Sequence, residues 1–210
     1  MRQEQNQAYP FVDRGTPMNR LMQSHYLHPA SNLWKEFLAA PLTAGRMVKR
    51  HPSASALYTF YWWNLMWSAL VVSLDQLFSI PFPERAFLHA FYSIFLVLGA
   101  GTIILYPAMW VVDQLATRLG VRGLARTRRQ VVMASSPWFI AIAVAMTISP
   151  WFMIPGLAIM AALYTLLDGM VHTQNISLRN ALVLVLGLVL VLLLTLVVAF
   201  LIFRWDIYAI

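Results

Sequence analysis

Between Ala181 and Phe203 the chain carries no charged residue and one hydroxyl, Thr195. A helix made from that stretch is apolar on every face. Such a helix is either deeply buried or in lipid. An uncharged stretch with more than eighteen apolar residues matches the thickness of a bilayer core, which selects lipid.

Composition extends that conclusion to the rest of the chain. Of its 210 residues, 60% are hydrophobic and only 11% are charged. A soluble domain carries roughly 25% charged residues, so the deficit marks a polytopic membrane protein rather than a soluble domain with one anchor. The net charge of +7 is confined to stretches that flank apolar runs. That placement points to anionic lipid headgroups and not to nucleic acid. The chain has no cysteine, which excludes disulfides, thiolate metal sites and cysteine nucleophiles. The N-terminus opens Met-Arg-Gln-Glu-Gln-Asn-Gln with no apolar core, unlike a cleaved signal peptide.

Five spans are expected, at about 57–80, 86–112, 131–149, 151–169 and 180–203. Pro81 and Pro83 end the first. Pro107 interrupts the second and should kink it. The apolar stretch from Val131 to Gly169 is too long for one crossing, and Ser149-Pro150-Trp151 divides it into a hairpin. Alternate connections then hold thirteen of the fifteen lysines and arginines. By the positive-inside bias the N-terminus and the arginine loop face the cytoplasm of an inner membrane, and the C-terminus faces out. Tyr61, Trp62 and Trp63 read as an aromatic belt at the cytoplasmic interface, whereas Trp67 lies a turn deeper, between helices or against a lipid or pigment tail.

Residues 1–31 are polar and proline-punctuated, and are expected to form a flexible cytoplasmic tail. Residues 32–52 read as one amphipathic helix in the membrane interface, bent at Pro41, and 53–210 as the membrane domain. On a 3.6-residue period Trp34, Phe37, Leu38 and Leu42 share an apolar face, and Arg46, Lys49 and Arg50 supply positive charge.

Ionisable groups at membrane depth are functional candidates. Asp113 and Asp168 close the second and fourth spans on the cytoplasmic side, where Arg126 or Arg129 is in reach. The expected arrangement is an interfacial charge network of Asp113, Arg126, Arg129, Asp168 and His172. Asp168 and His172 are four residues apart and form the single acid–base dyad that can be assembled, with no evident nucleophile beside it. His25 and His28 lack a third ligand. No catalytic residue, metal site or cofactor is expected.

The C-terminal half has a distinctive order. Gln130-Val-Val-Met-Ala-Ser-Ser-Pro137 opens the third span, Tyr164 and Gly169 close the fourth, and Ile176-Ser177 with Arg179-Asn180-Ala181-Leu182 opens the fifth. Over roughly residues 34 to 203 this resembles the Yip (Ypt-interacting protein) domain family, its bacterial members in particular. In that family a Tyr/Ser/Ala-x-x-Pro segment, a Tyr…Gly pair and a Ser-x-x-Ala element take these places. The resemblance implies five spans, a cytoplasmic N-terminus and a non-enzymatic role in organising membranes or partner proteins. The eukaryotic members imply small-GTPase partners. The expected partners here are the lipid bilayer and other membrane proteins or further copies of the chain. Two other roles fit the same residues: an accessory subunit of a respiratory, photosynthetic or transport complex, and a small oligomeric transporter or channel.

Overall fold

The computed structural model describes residues 28–50, 53–121, 123–148 and 153–208, the side chains of 28–30, 84, 196 and 199–208 excepted. The tail before residue 28, with His25, and the expected Pro150 turn lie outside the described residues. Among the described residues the chain is all-α. Helix α1 is His28–Ala39, followed by a 3-10 helix at Pro41–Lys49. Then come α2 (Ala54–Ser79), α3 (Pro83–Ile103), a π turn (Ile104–Ala108), α4 (Met109–Arg118), α5 (Ala125–Ala134), α6 (Pro137–Ile148), α7 (Met153–Gln174) and α8 (Leu178–Tyr208).

Among the described residues four stretches are long and apolar enough to cross a bilayer: Arg85–Arg118, Ala125–Ile148, Met153–Gln174 and Leu178–Thr195. They correspond to the second to fifth expected spans. Helix α2, the first expected span, is 26 residues long. Its Asn64, Asp75, Gln76, serines, tyrosines and tryptophans make it less apolar than the other four.

Local chemistry explains the joints. Pro83 occupies the first turn of α3, where a missing N–H costs nothing. Pro107 removes a helix hydrogen bond, and the chain absorbs the loss as a one-turn π bulge. Helix α4 ends in a Schellman cap: Gly120 takes φ +66°, the Val121 N–H donates to Ala116 O at 2.9 Å, and the Gly120 N–H donates to Thr117 O at 3.1 Å. Helix α7 ends at Asn175, with φ +54°. It therefore runs about a turn past Gly169, the expected end of the span, and takes in His172. Ser177 caps α8 by accepting from the Asn180 N–H at 3.3 Å.

The third span begins earlier than Val131. Its helix already includes Arg126, Arg128 and Arg129. It then breaks at Ser135–Ser136, because Pro137 has no N–H to carry the ladder through. Ser135 turns its hydroxyl back onto Val131 O at 2.9 Å, and Ser136 accepts from Asn64 Nδ2 of α2 at 2.9 Å.

Helix α2 lies antiparallel along α3 and also packs on α5 and α6, while α7 packs on α6, α8 and the 3-10 helix. Close approach of α2 to α3 is set at Gly101. A Cβ there would collide with Leu65, and the bare backbone lets the Tyr61 hydroxyl donate to Gly101 O at 2.6 Å. The core gathers Leu57, Phe60, Tyr61, Leu105, Met109, Val131 and Leu184. Burial against protein rather than lipid gives little hydrophobic gain, so close packing and polar links hold the helices together.

The N-terminal segment departs from the expected single helix. The α-helix begins at His28, inside the stretch expected to be flexible tail, and stops at Ala39. A nine-residue 3-10 helix is unusually long. Its Ala44, Gly45, Met47 and Val48 are buried against α5 and α7. The segment is therefore docked on the helical bundle along much of its length.

Candidate functional site at the basic end of the bundle

The docking of the 3-10 helix depends on two glycines. Gly45 lies against Gly169 of α7, and a Cβ built on Gly45 would stand 2.6 Å from the Gly169 Cα and 2.8 Å from Thr165 O. A Cβ on Gly169 would meet Val131 at 2.6 Å as well. No other residue type allows this backbone-to-backbone approach.

The approach brings the next side chains together. Arg46 grips Asp168 with both arms of its guanidinium: Nε donates to Oδ2 at 2.7 Å and Nη2 to Oδ1 at 2.5 Å. The Asp168 side chain is only 7% exposed, whereas that of Arg46 is half-exposed. The bond to Asp168 holds the Arg46 guanidinium above its ordinary pKa, against the opposing effect of burial. It stays charged at any physiological pH. His172 Nε2 approaches the same Oδ1 at 3.3 Å.

A second polar bridge sits a short step below. The Thr165 hydroxyl donates to Ala161 O at 2.8 Å, reaches Pro41 O at 3.4 Å and accepts from Trp138 Nε1 at 3.0 Å. Phe37 stacks edge-on against Trp138 with centroids 5.7 Å apart. These contacts join α1, the 3-10 helix, α6 and α7.

Asp113 of α4 forms the other carboxylate centre. Arg128 Nε donates to its Oδ1 at 2.7 Å, and Arg129 Nη2 stands 3.6 Å from its Oδ2. The Arg128 side chain is 5% exposed. Its Nη1 also donates to Gly123 O at 3.1 Å and to Gln174 Oε1 at 3.2 Å. One guanidinium thus ties the end of α4, the loop before α5 and the end of α7.

The expected charge network is two separate centres. Asp168 and His172 meet, as their spacing allows, but the arginine on Asp168 is Arg46. Asp113 meets Arg129, but its tighter partner is Arg128. Arg126 is exposed. Among the expected lipid-facing residues, Leu38 and Leu42 are exposed, as are Lys49 and Arg50. Phe37 is buried, and Trp34 is half-buried with its ring 5.8 Å from that of Phe60. Trp67 stands on the outer face beside Trp63, not between helices. His89 is exposed. The residues that sequence reasoning misses are Arg128, Gly45 and Gln174. A signal existed for the first clamp: Gly45-Arg46 and Asp168-Gly169 each set a glycine beside a charge, with opposite signs.

Each oxygen of the Asp168 carboxylate accepts a hydrogen bond from Arg46, whose charge balances it. Among the described residues no group of three or more His, Asp and Glu is placed to hold a metal ion. Comparison with family models, curated proteins and solved structures finds no match to this chain.

Proposed function

We propose that this chain is a five-span membrane protein that organises membrane or partner proteins without catalysing a reaction. The observation that carries the reading is the Arg46–Asp168 clamp. A carboxylate at membrane depth is a functional candidate by default, and this one joins a docked cytoplasmic segment to the bundle.

The fifth crossing is α2. It precedes α3, which follows through the three-residue link 80–82 and runs back along it, with Leu65 at Gly101 and the Tyr58 hydroxyl 3.0 Å from that of Tyr106. A helix of 26 residues spans about 39 Å, enough for a bilayer core. Three of its polar side chains, Asn64, Ser68 and Ser73, are buried. The distribution of lysine and arginine supports a cytoplasmic N-terminus and an external C-terminus. The kinship we propose is with the Yip domain family. Pro137 and Gly169, two of the residues that carry the resemblance, stand at structural joints: the break in the third span and the crossing with Gly45.

Reporter fusions after Arg129 and after Ile210 test the topology, with cytoplasmic and external signals expected. A cytoplasmic signal at Ile210 contradicts five spans. Purification in mild detergent tests the role. Recovery with other membrane proteins, without flux in liposomes, supports an organising role, and a homo-oligomer that conducts solute contradicts it.

A further inference from the structure

We propose that the patch formed by the first turns of α2, the π turn and α5 binds the phosphodiester of a membrane phospholipid. The proposal rests on the membrane placement above and adds a ligand class to it. Two hydrogen-bond donors carry it. The indole Nε1 of Trp62 and the Nε of Arg129 are both buried without an acceptor. A buried donor without a partner is costly, and more so where no water can reach it.

The two donors belong to one neighbourhood. Tyr58 lies one turn before Trp62, with ring centroids 6.0 Å apart. The Tyr58 hydroxyl meets that of Tyr106, which the π bulge presents. The π turn packs on α5, and Tyr106 lies within the electrostatic reach of Arg129. Both tyrosines are close to half exposed, and Arg129 is 41% exposed. The tyrosine pair that links the surroundings of the two donors thus reaches the surface.

The local charge favours a monoanion. Asp113 contributes one negative charge between two arginines. Arg128 is buried and engaged with Asp113, Gly123 and Gln174. Arg129 reaches Asp113 only through Nη2 at 3.6 Å, so the unbalanced positive charge rests on Arg129. A phosphodiester brings one negative charge and oxygens that only accept. Tyrosine and tryptophan at the end of an apolar bundle place the patch at headgroup depth, where such oxygens are abundant.

Native mass spectrometry of the full chain in detergent, titrated with dioleoyl phosphatidylglycerol, provides the test. Trp62→Phe keeps an aromatic side chain but removes the N–H with the pyrrole ring that carries it, and should weaken lipid binding about tenfold. Arg129→Gln should weaken it at least as much, and Arg126→Gln should leave it unchanged. Inorganic phosphate in excess should fail to displace the lipid, and dioleoylglycerol, which lacks the phosphate, should fail to bind. Unchanged binding in Trp62→Phe overturns the proposal even if Arg129→Gln does not fold. Equal binding of dioleoylglycerol would mean acyl packing alone, and displacement by inorganic phosphate would mean a soluble-anion site. Either result also overturns it. None of these outcomes alters the reporter-fusion or co-purification results, so the site and the broader role fail separately.

Discussion

Asp113 and Asp168 sit at the same end of the bundle, each at the end of an apolar stretch, and each is neutralised by arginine. They differ in where the arginine comes from. Arg128 is 15 residues from Asp113 and reaches it across the loop that joins their helices. Arg46 is 122 residues from Asp168 and reaches it only because Gly45 and Gly169 let two backbones touch. The first pair closes a local corner. The second fastens the segment that precedes α2 to the helical bundle. Chemically similar pairs therefore do different work: one shapes a turn, and the other fixes how the 3-10 helix sits on α7.

Substitutions separate the two roles. The largest effect is expected from Gly169→Val, which forces side-chain atoms into the Gly45 backbone and Val131. Overpacking a core commonly costs about 1–3 kcal/mol, and contact with rigid backbone places this site at or above the top of that range. The expected result is loss of monodisperse protein on size-exclusion chromatography in detergent. Next is Arg128→Met, which leaves Asp113 with its distant Arg129 contact and strips Gly123 O and Gln174 of a donor. A loss of about 3 kcal/mol is expected, the low end for a broken buried pair because Arg129 remains. It is read as a lowered unfolding midpoint in detergent. Asp168→Asn should act more gently. The asparagine still accepts from Arg46 while the charge is lost, so a modest fall in midpoint with an intact oligomeric profile is expected. An exposed charge outside both centres, in Arg126→Gln, should stay within about 0.5 kcal/mol of wild type.

The same contrast explains what was legible in the sequence. Apolar runs of helical length mark their helices because lipid leaves the backbone no alternative to internal hydrogen bonds. Pro107 announces a fault in the second span, and the π turn is its local resolution. Arginines near Asp113 announce a pair, although several lie in reach and only packing selects Arg128. Helix α2 is ambiguous because its Asn64, Ser68 and Ser73 dilute its apolarity while facing inward, and sequence period alone does not show what lies opposite. The docked segment was the least legible. The apolar face that contains Phe37 suits a lipid interface as well as a protein groove, and periodicity is the same for both. What decides is the pairing of Gly45 with Gly169, a long-range contact that periodicity does not show. The buried Asn64 Nδ2 bond to Ser136 is of the same kind, since it joins residues 72 apart.

The central claim is that Arg46 and Asp168 act as one structural clamp. A double-mutant cycle tests it directly, using unfolding midpoints of the full chain in detergent for wild type, Arg46→Gln, Asp168→Asn and the double variant. A clamp predicts that the double variant is no less stable than the weaker single variant, because neither residue has its role without the other. Midpoint losses that simply add would contradict it. So would an Asp168→Asn protein that assembles and unfolds like wild type yet no longer performs its function in the cell.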